Sequence, residues 1–180
     1  WDIEADKELH MLLGHKDVIT KIAISSDGKR AVSASGYIIY VWNTETGEVL
    51  KTLEYEATIT ALAMTPNGKS VIVGMVGGVL KVWDLENDTQ WRADLPIDGW
   101  SNTATDTMRQ FSDTDYMITA VSGGNTFTVW DIKTGERVAR FTADREFFYD
   151  SVAVGRSVIV TGDVFGRMYF LRLHVSDYVI

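Results

Sequence analysis

The chain has 180 residues, enough for one domain with a sizeable core, and 46% hydrophobic with 23% charged residues is the balance of an ordinary globular protein. A net charge of −8 works against a nucleic-acid surface and against docking on an anionic membrane, since both need a surplus of Lys and Arg. With no cysteine, disulfides and thiolate metal sites are excluded, and no apolar run approaches the ~20 residues of a bilayer crossing.

The chain opens on Trp1-Asp2. Near-copies follow at Trp42-Asn43, Trp83-Asp84 and Trp130-Asp131, at intervals of 41, 41 and 47 residues. Between these marks the sequence reads as short β-branched and aromatic runs bounded by Asp-Gly, Asn-Gly and Thr-Gly turns, the signature of strands and hairpins. Residues 7–12 supply one outer strand. Segment one then gives strands at 18–25, 30–35, 37–42 and 49–53. Segment two repeats them at 58–65, 70–74 and 79–83, with a weaker outer strand near 90–95. Segment three gives 105–112, 116–122, 126–130 and 136–142. Segment four gives 148–154, 157–162 and 167–173 and lacks an outer strand, and the tail after it is unassigned. No stretch shows the three-and-four apolar spacing of a helix. The expected divisions are 1–13 as an outer strand, then repeats at 14–55, 56–101, 102–142 and 143–180.

On these marks the whole chain resembles WD-repeat β-propeller sequence. The resemblance implies an all-β fold of four-stranded antiparallel blades, with four blade-equivalents in this chain. It also implies a hydrogen-bonded set of His, Ser or Thr, Trp and a turn Asp that braces each blade and satisfies a buried indole N–H. Segment one fits best, with Gly14-His15, then Ser33, then Trp42, but no turn Asp beside Gly36. Segment two has Tyr55 in place of the His, Val73 in place of the Ser and Gly77 in place of the Asp, although Trp83 is kept. Segment three keeps Trp130 and offers Asn102, Ala120 and Gly124. Segment four keeps Thr161 with Ala143, Phe165 and, at the Trp position, Leu171. Counting strands gives four blades' worth. Either this is a closed ring of four, with residues 7–12 completing the last blade, or it is half of a larger ring. The second is favoured because the chain starts at a blade's end, and self-association to complete a ring is expected with it.

Sites for chemistry are sparse. His10, His15 and His174 form no metal-ligand spacing, and His15 reads as the bracing residue. Asp27-Gly28 and Asp113-Thr114-Asp115 read as turn chemistry, because Asp side chains bond their own turn backbones. No P-loop lysine and no nucleophile elbow is present. No enzyme activity, no cofactor and no metal are therefore expected. Phe147, Phe148 and Tyr149 read as core, and Arg137, Arg140 and Arg145 as a solvated outer strand.

The longer third interval falls around Asp98 and Trp100, in a loop that either anchors a partner or folds back on a blade. Asp98 and Trp100, with Lys16, Asp17 and Tyr37 on rim-facing turns, are the candidate partner-binding residues. The expected function is a non-catalytic platform for a protein or peptide, with no nucleic acid or membrane partner, in the cytoplasm. A second reading rests on GDVFGRMYFLRL, which resembles the closing repeat of sensor propellers on signalling NTPases of the NACHT or NB-ARC type. A third is a propeller enzyme with a site in the central channel.

Overall fold

A computed structural model describes residues 3–4, 6–94, 105–110, 114–121, 126–142, 152–154, 158–162 and 167–172. Among these residues there are fifteen strands and no helix. They form four antiparallel sheets in chain order. The first holds β1 (Lys21–Ile24), β2 (Arg30–Ser35), β3 (Ile38–Asn43) and β4 (Val49–Glu54). The second holds β5 (Ile59–Met64), β6 (Ser70–Met75), β7 (Val79–Asp84) and β8 (Thr89–Asp94). The third holds β9 (Thr105–Gln110), β10 (Tyr116–Val121), β11 (Thr126–Asp131) and β12 (Arg137–Thr142). The fourth holds three strands, β13 (Val152–Val154), β14 (Val158–Gly162) and β15 (Met168–Arg172).

Each sheet buries alternate residues against its neighbours, as period-two side chains on a doubly covered sheet must. Val32, Ala34, Ile39 and Val41 of the first sheet pack with Val71 and Val73 of the second. The second sheet's other face, with Ile72, Leu80 and Val82, meets Met117 and Trp130 of the third. Ile118, Phe127 and Val129 then meet Ile159 of the fourth. The sheets thus stack in order, with β1 and β2 on β5, β5 and β6 on β9, and β9 on β13.

The dipeptide after each strand run has a local cause. The Oδ1 of Asn43, Asp84 and Asp131 accepts two backbone N–H groups of the turn that follows, from Glu45 and Thr46, Glu86 and Asn87, and Lys133 and Thr134, at 2.7–3.1 Å. These bonds hold the Asp84 carboxyl below the usual range, its bonds to Asn87 first. The β1–β2 turn works the same way. Ser25 Oγ donates to Asp27 Oδ1 (2.7 Å), Asp27 accepts Lys29 N (3.0 Å), and Gly28 takes the left-handed φ of +72° that closes the turn. Thr65, Asn67 and Gly68 repeat this arrangement one sheet later. Asp27 is therefore a turn residue, whose carboxyl is drawn down first by Ser25.

Where an outer strand was expected over residues 7–12, Lys7 makes an isolated bridge and residues 8–12 form no strand among the described residues. Ile22 (76% exposed) and Ile24 (60%) stand bare on the first sheet, and Met168 (65%) and Phe170 (72%) stand bare on the fourth.

Candidate functional site

The first sheet carries a braced indole. Trp42 Nε1 donates to Ser33 Oγ at 2.8 Å, and His15 Nε2 lies 2.6 Å from the same oxygen. Strand register explains the spacing. Trp42 pairs with Ala31, and Ser33, two residues along, shares its face. A neutral His15 with its proton on Nδ1 leaves Nε2 free to accept the Ser33 hydroxyl proton. Tyr40 meets His15 edge-on at 4.6 Å, and Gly14 lies so close that a Cβ there would stand 3.3 Å from Trp42 Cη2. Residues 14–15 thus cover Trp42 on a face where no sheet packs.

Burial pushes the His15 pKa below the ordinary value of 6.5, against a smaller opposing pull from Ser33. A base whose folded pKa is depressed contributes stability that is full above the unfolded pKa. That stability is lost as the pH falls through and below it. Thermal melts should therefore show stability declining below about pH 6.5, and His15→Gln should flatten that slope. An unchanged slope in the variant would remove His15 as the cause.

The same register identifies the equivalents in the other sheets. Trp130 pairs with Met117, so the acceptor is Thr119, and Trp130 Nε1 donates to Thr119 Oγ1 at 2.9 Å. The expectation of Ala120 is off by one, because it was reached by counting along a hairpin whose turn is longer than that of its neighbours. In the fourth sheet Leu171 pairs with Ile159, which puts buried Thr161 in the acceptor position opposite a side chain with no N–H.

In the second sheet the position falls to Val73, and Trp83 Nε1 is buried without a hydrogen-bond partner, as is the Tyr55 hydroxyl. Burial pushes the Tyr55 phenol well above its ordinary range. Lys51 instead lies over the Trp83 ring at 4.9 Å and pairs with Asp88, whose carboxyl it holds low. Val73→Thr should supply the missing acceptor at nearly constant volume. A net gain of about 1 kcal/mol, or roughly 2–4 °C in Tm, is expected by calorimetry, and a lowered Tm would show that the hydroxyl cannot reach the indole.

The sequence-predicted partner residues cluster on one rim where they are described. Lys16 and Asp17 are exposed just before β1, with Asp17 Oδ1 accepting Val18 N at 2.8 Å. Lys21 pairs with Ala34 near the end of β2, and the turn that follows holds Gly36 and Tyr37, so both segments lie at the same end of the sheet. Tyr37 is 58% exposed, yet its carbonyl accepts Tyr55 N (2.9 Å) and that of Gly36 accepts Ile59 N (2.8 Å). The end of β4 and the first strand of the second sheet thus fix the turn that presents Tyr37. Val18 and Ile19, exposed beside Asp17, add apolar area that was not among the expected contact residues. Asp98 and Trp100 lie outside the described residues. The strands that flank them, β8 and β9, end and begin at this same rim, since Asp94 pairs with Val79 and Thr105 with Val121.

Among the described residues no group of three or more His, Cys, Asp and Glu is placed to hold a metal ion, and no helix is long and apolar enough to cross a membrane.

The family description "WD domain, G-beta repeat" matches residues 6–43 and 47–84. Over those two stretches the chain is similar to WD40 repeats. Curated relatives match about half of this chain. A pre-mRNA-splicing factor, cwf17 of Schizosaccharomyces pombe, is 26% identical over 90 residues, 49% of this chain and 26% of its own length. The U3 small nucleolar RNA-associated protein 15 homolog of Xenopus tropicalis is 34% identical over 84 residues, 46% of this chain and 16% of its own. The small ribosomal subunit protein RACK1 of Brassica napus is 33% identical over 88 residues, 48% of this chain and 26% of its own. The matches thus span about a quarter or less of these relatives. The solved structure of U3-55K superposes with a TM-score of 0.70 at 16% identity, over 91% of this chain and 54% of that one. The RRP9 WD40 repeats do so at 0.70 and 16%, over 88% and 52%. All four sheets therefore share the WD40 propeller fold, including the two that the family description does not match.

Proposed function

We propose that this chain is a non-catalytic WD40 platform that binds a protein or peptide on the rim carrying Lys16, Asp17 and Tyr37. The observation that carries the reading is the fixed presentation of Tyr37. An exposed aromatic sits on a turn whose Tyr37 carbonyl is bonded to Tyr55 at the end of β4 and whose Gly36 carbonyl is bonded to Ile59 of the next sheet, so binding orders little that is not ordered beforehand. Lys16 and Asp17 supply charges of both signs beside exposed Val18 and Ile19, a mixture suited to peptide recognition rather than to phosphate. The net charge of −8 supports a protein partner over RNA, although the names of two relatives mention RNA or RNA splicing.

The test is selection from a displayed peptide library against the immobilised chain, followed by affinity measurement on variants. Tyr37→Ala should weaken selected peptides by tenfold or more, the scale of about 1.4 kcal/mol, with Lys16→Glu and Trp100→Ala weakening them less. Peptides indifferent to Tyr37→Ala and Lys16→Glu would move the site off this rim. Retention of a mixed-sequence RNA at physiological salt would count against the protein-only reading.

A further inference from the structure

We propose that Asn67 is a site of spontaneous deamidation, held off while the first two sheets are docked and released when they part. The reaction needs only water, and the contact between two turns governs it.

Asn67-Gly68 is the one Asn-Gly pair in the sequence. Without a Cβ, Gly68 leaves its amide nitrogen little hindered as a nucleophile. Once that nitrogen has lost its proton to base, it can attack Asn67 Cγ. The C–N bond of the carboxamide then breaks, ammonia leaves and a cyclic imide closes. Water opens the imide at either carbonyl. Opening at Cγ gives an ordinary aspartate. Opening at the main-chain carbonyl routes the backbone through the side chain as isoaspartate. Either way one water is consumed, one ammonia is released and the chain becomes one charge more negative.

The folded turn holds the reacting atoms apart. Asn67 Oδ1 accepts Thr65 Oγ1 at 2.8 Å and Lys69 N at 3.0 Å, which fixes the carboxamide. Gly68 N donates to the Thr65 carbonyl at 2.8 Å, so its proton is not free to leave. Gly68 is buried, with φ +67°, and a Cβ there would stand 3.2 Å from Ser25 Cβ and 3.4 Å from Arg30 Cδ. Arg30 Nη1 donates to the Gly68 carbonyl at 2.9 Å, and Ser26 N donates to the Pro66 carbonyl at 2.9 Å. The first sheet thus clamps the backbone on both sides of Asn67, while the Asn67 side chain itself is exposed to water. Ring closure waits on a local opening in which the β1–β2 and β5–β6 turns separate.

The first sheet also shows how the aspartate product is accommodated. Asp27 occupies the same place, accepting Ser25 Oγ at 2.7 Å and Lys29 N at 3.0 Å ahead of left-handed Gly28. A carboxylate at position 67 therefore takes over both bonds of the amide oxygen, and the turn docks again. Isoaspartate cannot, because the added backbone carbon moves Gly68 away from Thr65 and Ser25. Aspartate at position 67 is thereby a lasting record of how often the first two sheets have parted.

Incubation at mildly alkaline pH, followed by isoelectric focusing and peptide mass mapping, measures the rate. The folded chain should deamidate at Asn67 at least about tenfold more slowly than the guanidinium-unfolded chain, as expected of a site reached only by local opening. Arg30→Met keeps the apolar stem and removes the clamp on the Gly68 carbonyl, so it should speed the folded chain several-fold. Arg137→Met, on the third sheet, should leave the rate unchanged. Asn67→Asp should melt within about 2 °C of the parent. Equal rates in the folded and unfolded chains, an Arg30→Met rate no faster than that of Arg137→Met, or an Asn67→Asp protein melting well below the parent would overturn the proposal.

Discussion

Trp130→Ala is expected to cost about 3–5 kcal/mol, the range for deleting a large buried aromatic. That is a large fraction of the roughly 5–15 kcal/mol available to a domain. The side chain is 5% exposed and belongs to the cluster that joins the second and third sheets, with Ile72, Leu80 and Met117. Its removal leaves a cavity at the junction as well as an unmet Thr119 hydroxyl. Denaturant titration followed by circular dichroism measures the loss. Thr119→Val separates the two contributions, because it keeps the packing and removes only the acceptor of the 2.9 Å bond. A cost of about 1–3 kcal/mol is expected for leaving that N–H unsatisfied. A Thr119→Val protein as stable as the parent would mean that the hydrogen bond contributes nothing and the ring volume everything.

Gly135→Ala is the second large effect. Gly135 has φ +75°, where a Cβ strains the backbone. That Cβ would also stand 3.0 Å from Cδ2 and Cε3 of Trp91, tighter than nine in ten real Cβ contacts. Trp91 cannot step aside freely, since its Nε1 donates to the Ile132 carbonyl at 2.7 Å. The strain of a non-glycine residue in this region and the displaced ring together set an expected loss of about 2–4 kcal/mol. Gly28→Ala is the control. It shares the left-handed φ but meets nothing within 4 Å, so it should lose only the backbone part. Equal losses at the two glycines would show that the contact between Trp91 and the neighbouring sheet has no energetic weight.

These two substitutions also mark how far the chain could be read in advance. Four sheets, their order and most strand limits were legible, because alternation and turn residues are local properties carried by consecutive residues. Trp42 with Ser33 and His15 was legible through the resemblance to WD-repeat sequence, whose bracing set falls within this one segment. Thr119 was misplaced by one residue because its position depends on pairing register, which a longer hairpin turn shifts without any mark in composition. Trp91 was passed over in a strand that read as weak, and its role appears only where it meets Gly135 of the next sheet. A hint was present, in that Gly47, Asp88 and Gly135 each stand five residues after Trp42, Trp83 and Trp130, but nothing in the sequence says which side chain lands there. Residues 8–12 show the opposite failure. Their pattern is that of a strand, yet a strand exists only beside another, and among the described residues no strand pairs with them.

By itself, then, the sequence determined the repeat, the all-β class and the turn chemistry of Asp27, each from dihedral preference and side-chain alternation over a few neighbouring residues, while the bracing of Trp42 was implied by the resemblance to WD-repeat sequence. Only the tertiary structure decided which hydroxyl meets which indole, that Lys51 and Asp88 stand in for the missing acceptor beside Trp83, that Ile22 and Phe170 stand exposed, and that the Tyr37 turn is tied to the adjacent sheet through Gly36. Those outcomes depend on contacts between residues tens of positions apart, and their geometry is set by how whole sheets pack rather than by any stretch of sequence.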